Sequence, residues 1–358
     1  MARELRQLCS IFLAVWLTQA GRIIVAREQL VPCYFIFGDS LVDCGNNNDL
    51  DTLAKANYPP YGIDFPEGVN GRFTNGRTIA DMIGQQLGFK NFIPSYNTAT
   101  DDDISTGVNY GSGSAGILDE SGSHLGDRVS LNRQLSNHEA VVTRLESVQQ
   151  NKSYTDEYLN KCIYIVNIGN NDYINNYLMP NNYPSSHEYN AEQYADVLGR
   201  KYTEQLKTLY RLGARKIAVF GLGMIGCAPA EIERFGTNGK SCVEWINEAV
   251  VHFNDRLMPL VEELNTVYPD AKFTYINLTH ILAPKSGVAL PNKPCCPVRE
   301  DGQCIPYSTP CPNRSLAVYL DSFHPTEIAN RVLAQRSFMS NSPEDASPYD
   351  INQLTRDP

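Results

Sequence analysis

The chain has 358 residues, 42% hydrophobic, 20% charged and 10% aromatic, which excludes collagen-like, coiled-coil and wholly disordered chains. Acidic residues outnumber basic ones by 40 to 30 and leave a net charge of −10. Nucleic acid is therefore not an expected partner, because phosphate binding needs clustered Lys and Arg.

At the N-terminus, Arg3 and Arg6 precede an apolar stretch, Leu8 to Leu17, followed by small residues. This is the pattern of a secretory signal peptide, expected over residues 1–26 with cleavage after Ala20 or nearer Ala26. The alternative, a buried N-terminal helix, lacks charges recurring on one face. No later run approaches the roughly 20 apolar residues of a membrane span, so no span is expected.

Short β-rich apolar runs follow at Tyr34–Phe37, Cys162–Ile168, Lys216–Phe220 and Phe273–Ile276, with a shorter candidate at Val108–Tyr110. Their near-continuous apolar character suits strands covered on both faces. Helical patterns lie between them at Gly76–Leu87, Ala191–Leu212, Glu244–Val267 and Thr326–Met339. Strands alternating with helices predict a mainly parallel sheet with helices on both sides. With no repeat and no Gly/Ser linker, residues 27–340 read as one domain, and the polar segment 341–358 as a loosely held tail.

Ten cysteines support an exported protein, although Cys9 falls in the leader. Cys227 and Cys242 flank a loop, while Cys295, Cys296, Cys304 and Cys311 crowd a Pro-rich segment. In an oxidising compartment these six are disulfide candidates. Of Cys33, Cys44 and Cys162, at least one is left unpaired. A zinc knuckle would need a CxxC repeat or paired His, and neither occurs. Asn151, Asn277 and Asn313 begin Asn-x-Ser/Thr sequons and are candidate glycosylation sites.

Two stretches, Gly111-x-Gly113-x-x-Gly116 and Gly221-x-Gly223-x-x-Gly226, match the bare dinucleotide fingerprint. Neither has the helix beginning at its third glycine, nor a clear second strand ending in an acidic residue, that such a site needs. None of the six His pairs at three- or four-residue spacing. No metal and no cofactor is expected.

The residues suited to chemistry lie at predicted strand ends. The first strand exits into Gly38-Asp39-Ser40-Leu41 and the second into Gly169-Asn170-Asn171-Asp172. In an open α/β sheet ligands bind beyond the carboxyl ends of the strands, so these loops should lie side by side. Asp321 precedes His324 by three residues, a spacing that lets a carboxylate accept from Nδ1 while Nε2 faces outward. Each piece alone also fits a plain turn or helix cap. Together, a serine hydroxyl, a carboxylate-oriented imidazole and amide donors are the parts of acyl transfer.

Several ordered blocks lie along the chain: Phe35-Ile36-Phe37-Gly38-Asp39-Ser40-Leu41-Val42-Asp43, Gly71-Arg72-Phe73-Thr74-Asn75-Gly76 and Gly107-Val108-Asn109-Tyr110. Gly169-Asn170-Asn171-Asp172-Tyr173, Gly226-Cys227-Ala228-Pro229 and Asp321-Ser322-Phe323-His324-Pro325-Thr326-Glu327 complete them. With these blocks the chain resembles a plant-type GDSL esterase/lipase of the SGNH hydrolase superfamily. The resemblance implies a three-layer α/β/α, flavodoxin-like parallel sheet. It also implies a secreted carboxylic ester hydrolase, monomeric and located in the cell wall or apoplast, acting on small-molecule, lipid or polysaccharide esters.

Carried over by position, Ser40 is the nucleophile, His324 the general base and then acid, and Asp321 the residue that orients it. The oxyanion donors are the Ser40 amide, a backbone amide taken as Gly113 because it follows Ser112, and the Asn171 side chain. The sequence departs from the family pattern at Cys44, Gly111 and Leu320, the last altering packing around Asp321. An acyltransferase using the same acyl-enzyme, or a non-catalytic extracellular binding protein, are the competing readings.

Overall fold

The computed structural model describes residues 28–283 and 292–356, so the expected signal peptide and Cys9 lie outside the described residues. In chain order the main elements begin with β1 (Tyr34–Gly38), α1 (Ile79–Gln86), α2 (Leu131–Gln149), α3 (Lys152–Asn160) and β2 (Ile163–Asn167). Next come α4 (Ala191–Arg211), β3 (Lys216–Phe220), α5 (Pro229–Phe235), α6 (Glu244–Val267), β4 (Lys272–Ile276) and α7 (Leu278–Leu282). The chain closes with α8 (Glu327–Phe338), β5 (Ala346–Ser347) and α9 (Ile351–Arg356).

Strands β1 to β4 pair in parallel in the order 1-2-3-4, and β5 adds antiparallel to β4. Side chains alternate across each strand, so one sheet builds two cores. Phe35, Phe37, Tyr164, Val166, Ile217 and Val219 face α2, α4 and α6. Tyr34, Ile36, Ile163, Ile165, Ala218 and Phe220 face α1, α8 and α9. The expected α/β/α layering is therefore present.

Two expectations change. Val108–Tyr110 does not form a full strand, but it runs beside β1 through Ile36 N–H to Val108 O and Tyr110 N–H to Ile36 O. The segment after Ser340 is not a loose tail. It supplies β5 and α9, with Ile351 and Leu354 fully buried in the second core. Its apolar residues are too widely spaced among polar ones to show as a periodic run, yet they complete the core.

Helix boundaries follow local chemistry. Helix α1 begins at Ile79 because Thr78 is extended and forms a capping box with Asp81. Asn190 and Gln193 do the same for α4. The six disulfide candidates pair as Cys227–Cys242, Cys295–Cys311 and Cys296–Cys304. Cys33–Cys162 joins the start of β1 to the approach to β2, and Cys44 is left free.

Candidate active site

Pairing of β1 with β2 brings their carboxyl ends together, and Asn170 Nδ2 donates to Asp39 Oδ2 at 3.1 Å across the two loops. Beyond these ends opens a cavity of about 860 Å³ that includes Ser40, Asn171 and His324 in its walls. Ser40 Oγ lies 2.8 Å from His324 Nε2, although 284 positions separate them. His324 Nδ1 lies 2.7 Å from Asp321 Oδ2.

Asp321 is fully buried and surrounded by donors. Its Oδ1 accepts from the N–H groups of Phe323 and His324, and its Oδ2 from the Tyr61 hydroxyl at 2.6 Å. Burial works to raise its pKa, but the adjacent His324 and these hydrogen bonds outweigh it and hold the carboxyl below its ordinary range. An ionised Asp321 accepts from Nδ1–H, which leaves Nε2 as the acceptor facing the Ser40 hydroxyl. The ring of Phe73 packs on the imidazole with centroids 4.9 Å apart. Leu320 is fully buried in the same apolar cluster as Tyr61 and Phe73.

Hydrogen-bond donors without protein acceptors belong to residues of the same cavity wall. The Ser40 N–H has no acceptor among the described residues. Asn171 Nδ2 gives one hydrogen to Ala115 O at 3.0 Å, while its Oδ1 accepts from Asn175 Nδ2 at 2.7 Å. This locks the amide and leaves its second N–H for the cavity.

Gly113 does not fit the role expected of it. Its N–H donates to Asp43 Oδ2 at 2.9 Å, and its residue is not part of the cavity wall. Ser114 is part of that wall, and its N–H has no acceptor among the described residues. Ser114 adopts φ 63°, a left-handed conformation uncommon for a non-glycine residue. The position after Ser112 in the family pattern pointed to Gly113. The signal overlooked was Asp43, an acidic residue in the first loop able to consume that amide.

The sequence model of the GDSL-like lipase/acylhydrolase family matches residues 34–337. The chain belongs to the GDSL lipase/acylhydrolase family. Relatives from Arabidopsis thaliana are of the same kind. One GDSL esterase/lipase is 46% identical over 363 residues, covering 99% of each chain. A second is 45% identical over 359 residues, covering 98% of this chain and 99% of its own.

In this GDSL chain, buried polar side chains fasten the amide-bearing loops. Besides Gly113, Asp43 accepts from the N–H groups of Gly45 and Asn46, and burial pushes its carboxyl up to about 6. Asn46 Nδ2 donates to Asn109 O and Gly111 O, and Asn47 Nδ2 to Ala54 O and Gly113 O. Asp172 accepts from the N–H groups of Ile117 and Leu118 and from the Ser121 hydroxyl. A Cβ on Gly116 would come within 2.8 Å of that carboxylate, which accounts for a glycine there. Gly226 likewise admits the carbonyl of Val243, so both glycine-rich stretches serve close packing.

Tyr61, which the sequence reading did not single out, completes the partners of Asp321; no motif marks it. Burial pushes the Cys44 thiol up to about 12, which disfavours the thiolate form of this free cysteine. Among the described residues no cluster of three or more His, Cys, Asp or Glu is placed to hold a metal. No described helix is long and apolar enough to cross a membrane.

Proposed function

We propose that the protein hydrolyses carboxylic esters through an acyl-enzyme on Ser40. The observation that carries this reading is the unbroken relay Ser40 Oγ, His324 Nε2, His324 Nδ1, Asp321 Oδ2, with links of 2.8 and 2.7 Å. Ser40 Oγ attacks the ester carbonyl carbon and passes its proton to His324 Nε2. The C–O bond to the alcohol breaks, and His324 returns the proton to the leaving alcohol. Water, deprotonated by His324, then attacks the acyl-enzyme and releases the acid and free Ser40.

The carbonyl oxygen becomes anionic in both tetrahedral intermediates. The Ser40 and Ser114 N–H groups and Asn171 Nδ2 are assigned as its donors, with Ser114 replacing Gly113 in that role. Apolar walls formed by Ile174, Met179, Leu278, Leu282 and Leu333 suit an acyl chain.

Export is the companion proposal. The Arg-flanked apolar leader and the four disulfides support a protein that matures in an oxidising compartment and acts outside the cell, in a wall or apoplast. Exposed Asn151 and Asn313 are the accessible glycosylation candidates. Asn277 is half-buried and caps α7 by accepting the His280 N–H, which makes it the less accessible of the three.

The test joins labelling to turnover. A fluorophosphonate probe should label the wild type on Ser40, and Ser40→Ala should lose labelling. The variant's kcat on a short-chain ester should fall by about 10⁴-fold or more with an unchanged melting temperature. Undiminished turnover in the folded variant would remove Ser40 from the chemistry. Labelled wild type that gives only acyl transfer to an added alcohol, and no free acid, would assign the transferase reading instead.

A further inference from the structure

Glu231 sits on α5 in the wall of the same cavity as Ser40 and His324, with only 2% of its surface exposed. Asp39, Asp43, Asp172 and Asp321 are also buried, and each is met by two or more donors. Glu231 is met by none. Its Oε2 is fully enclosed without a hydrogen-bond partner. Its Oε1 is likewise without a hydrogen-bond partner among the described residues, and the residue is part of the cavity wall.

The nearby cation does not neutralise it. Arg234 is exposed and lies over the ring of Phe235, 4.8 Å from its centroid. An enclosed carboxyl without a donor is costly, so its retention in a binding cavity calls for a ligand group that completes it.

We infer that Glu231 is a specificity residue that hydrogen-bonds a free hydroxyl on the alcohol part of the substrate, so the preferred substrates are partial esters of a polyol. This rests on the ester-hydrolase reading above. The position is rigidly related to the chemistry, because the N–H of the preceding residue, Ala230, donates to Ser322 O at 3.1 Å within the Asp321–His324 loop. The apolar walls take the acyl chain, and Glu231 marks a polar side for the alcohol.

A hydroxyl fits better than a cationic group. Burial pushes the Glu231 carboxyl up to about 7, against a weaker opposing pull from Arg234, and so favours the uncharged acid. An uncharged carboxyl both donates and accepts, as an alcohol does, whereas a cation requires the carboxylate.

The experiment compares kcat/KM for glycerol monobutyrate and butyl butyrate, which share an acyl group, in wild type, E231Q, E231A and E231L. In E231L and E231A the glycerol-to-butyl ratio should fall roughly 10- to 100-fold, mainly through KM, as for loss of a hydrogen bond to a charged or acidic group. E231Q, which can still donate and accept, should restore most of the ratio. An unchanged ratio in all three variants overturns the inference, as does a choline ester losing more than the glycerol ester. If the wild type neither labels on Ser40 nor turns over either ester, the hydrolase reading fails and carries this one with it. Intact labelling with an unmoved ratio overturns this inference alone.

Discussion

The two halves of the site are held by different means. The Ser40 side is built from loops at the ends of β1 and β2, where Asp43, Asn46, Asn47 and Asp172 thread hydrogen bonds into neighbouring backbone. The His324 side hangs on a stretch with little regular structure between residue 292 and α8. There the Cys295–Cys311 and Cys296–Cys304 bonds close loops of 16 and 8 residues. The N–H groups of both Cys295 and Cys296 donate to Leu320 O, directly before Asp321. Where strands end, buried amides suffice to fix geometry. Where no element supports the chain, covalent links and the aromatic packing of Tyr61 and Phe73 take over.

The comparison can be broken most sharply on the Ser40 side. Asn171→Ala should lower kcat on the order of 10²- to 10³-fold with little change in KM, because the donor acts on charge that develops in the transition state. A loss confined to KM would make Asn171 a binding residue. On the His324 side, the paired change Cys296→Ala with Cys304→Ala should cost roughly 2–3 kcal/mol of stability. Thermal unfolding measures this, and activity should decline in step as the Asp321–His324 loop loosens. Equal stability with and without the bond would show that the aromatic packing holds this half by itself.

The smallest effect concerns Asp39, whose carboxyl burial raises to about 6 despite donors from Leu41 N–H and Asn170 and the opposing charge of His324. Its folded-state pKa exceeds that of the unfolded chain, so the folded form holds the proton more tightly between the two values. The stability this contributes is present at low pH and is lost as pH rises through about 6. The Tm of the wild type should therefore fall relative to that of Asp39→Asn between about pH 4 and about pH 7. A gap that stays constant with pH would show that Asp39 ionises in the folded protein as it does in the unfolded chain.

Much of the architecture was legible before any coordinates. Runs such as Ile163-Tyr164-Ile165-Val166 are apolar on both sides of the pleat because both faces are covered, and that pattern needs no partner to be read. Ser40, Asn171, Asp321 and His324 stood out because acyl transfer demands few residue types and strand ends are where they can meet. Tyr61 and Ser114 did not stand out. Tyr61 acts through a contact across 260 positions, and Ser114 through a backbone amide whose freedom depends on which neighbouring amide Asp43 consumes. The C-terminal segment was misjudged for a related reason: two buried apolar residues on a short helix carry no periodicity, only a destination.

The distance of 284 positions between the paired hydroxyl and imidazole has a consequence for biosynthesis. A ribosome-bound polypeptide owns Ser40 early but no partner for it until His324, just ahead of α8, has been added, and the sheet gains its last strand later still. A translation product that stops short of His324 therefore lacks the imidazole that meets the Ser40 hydroxyl.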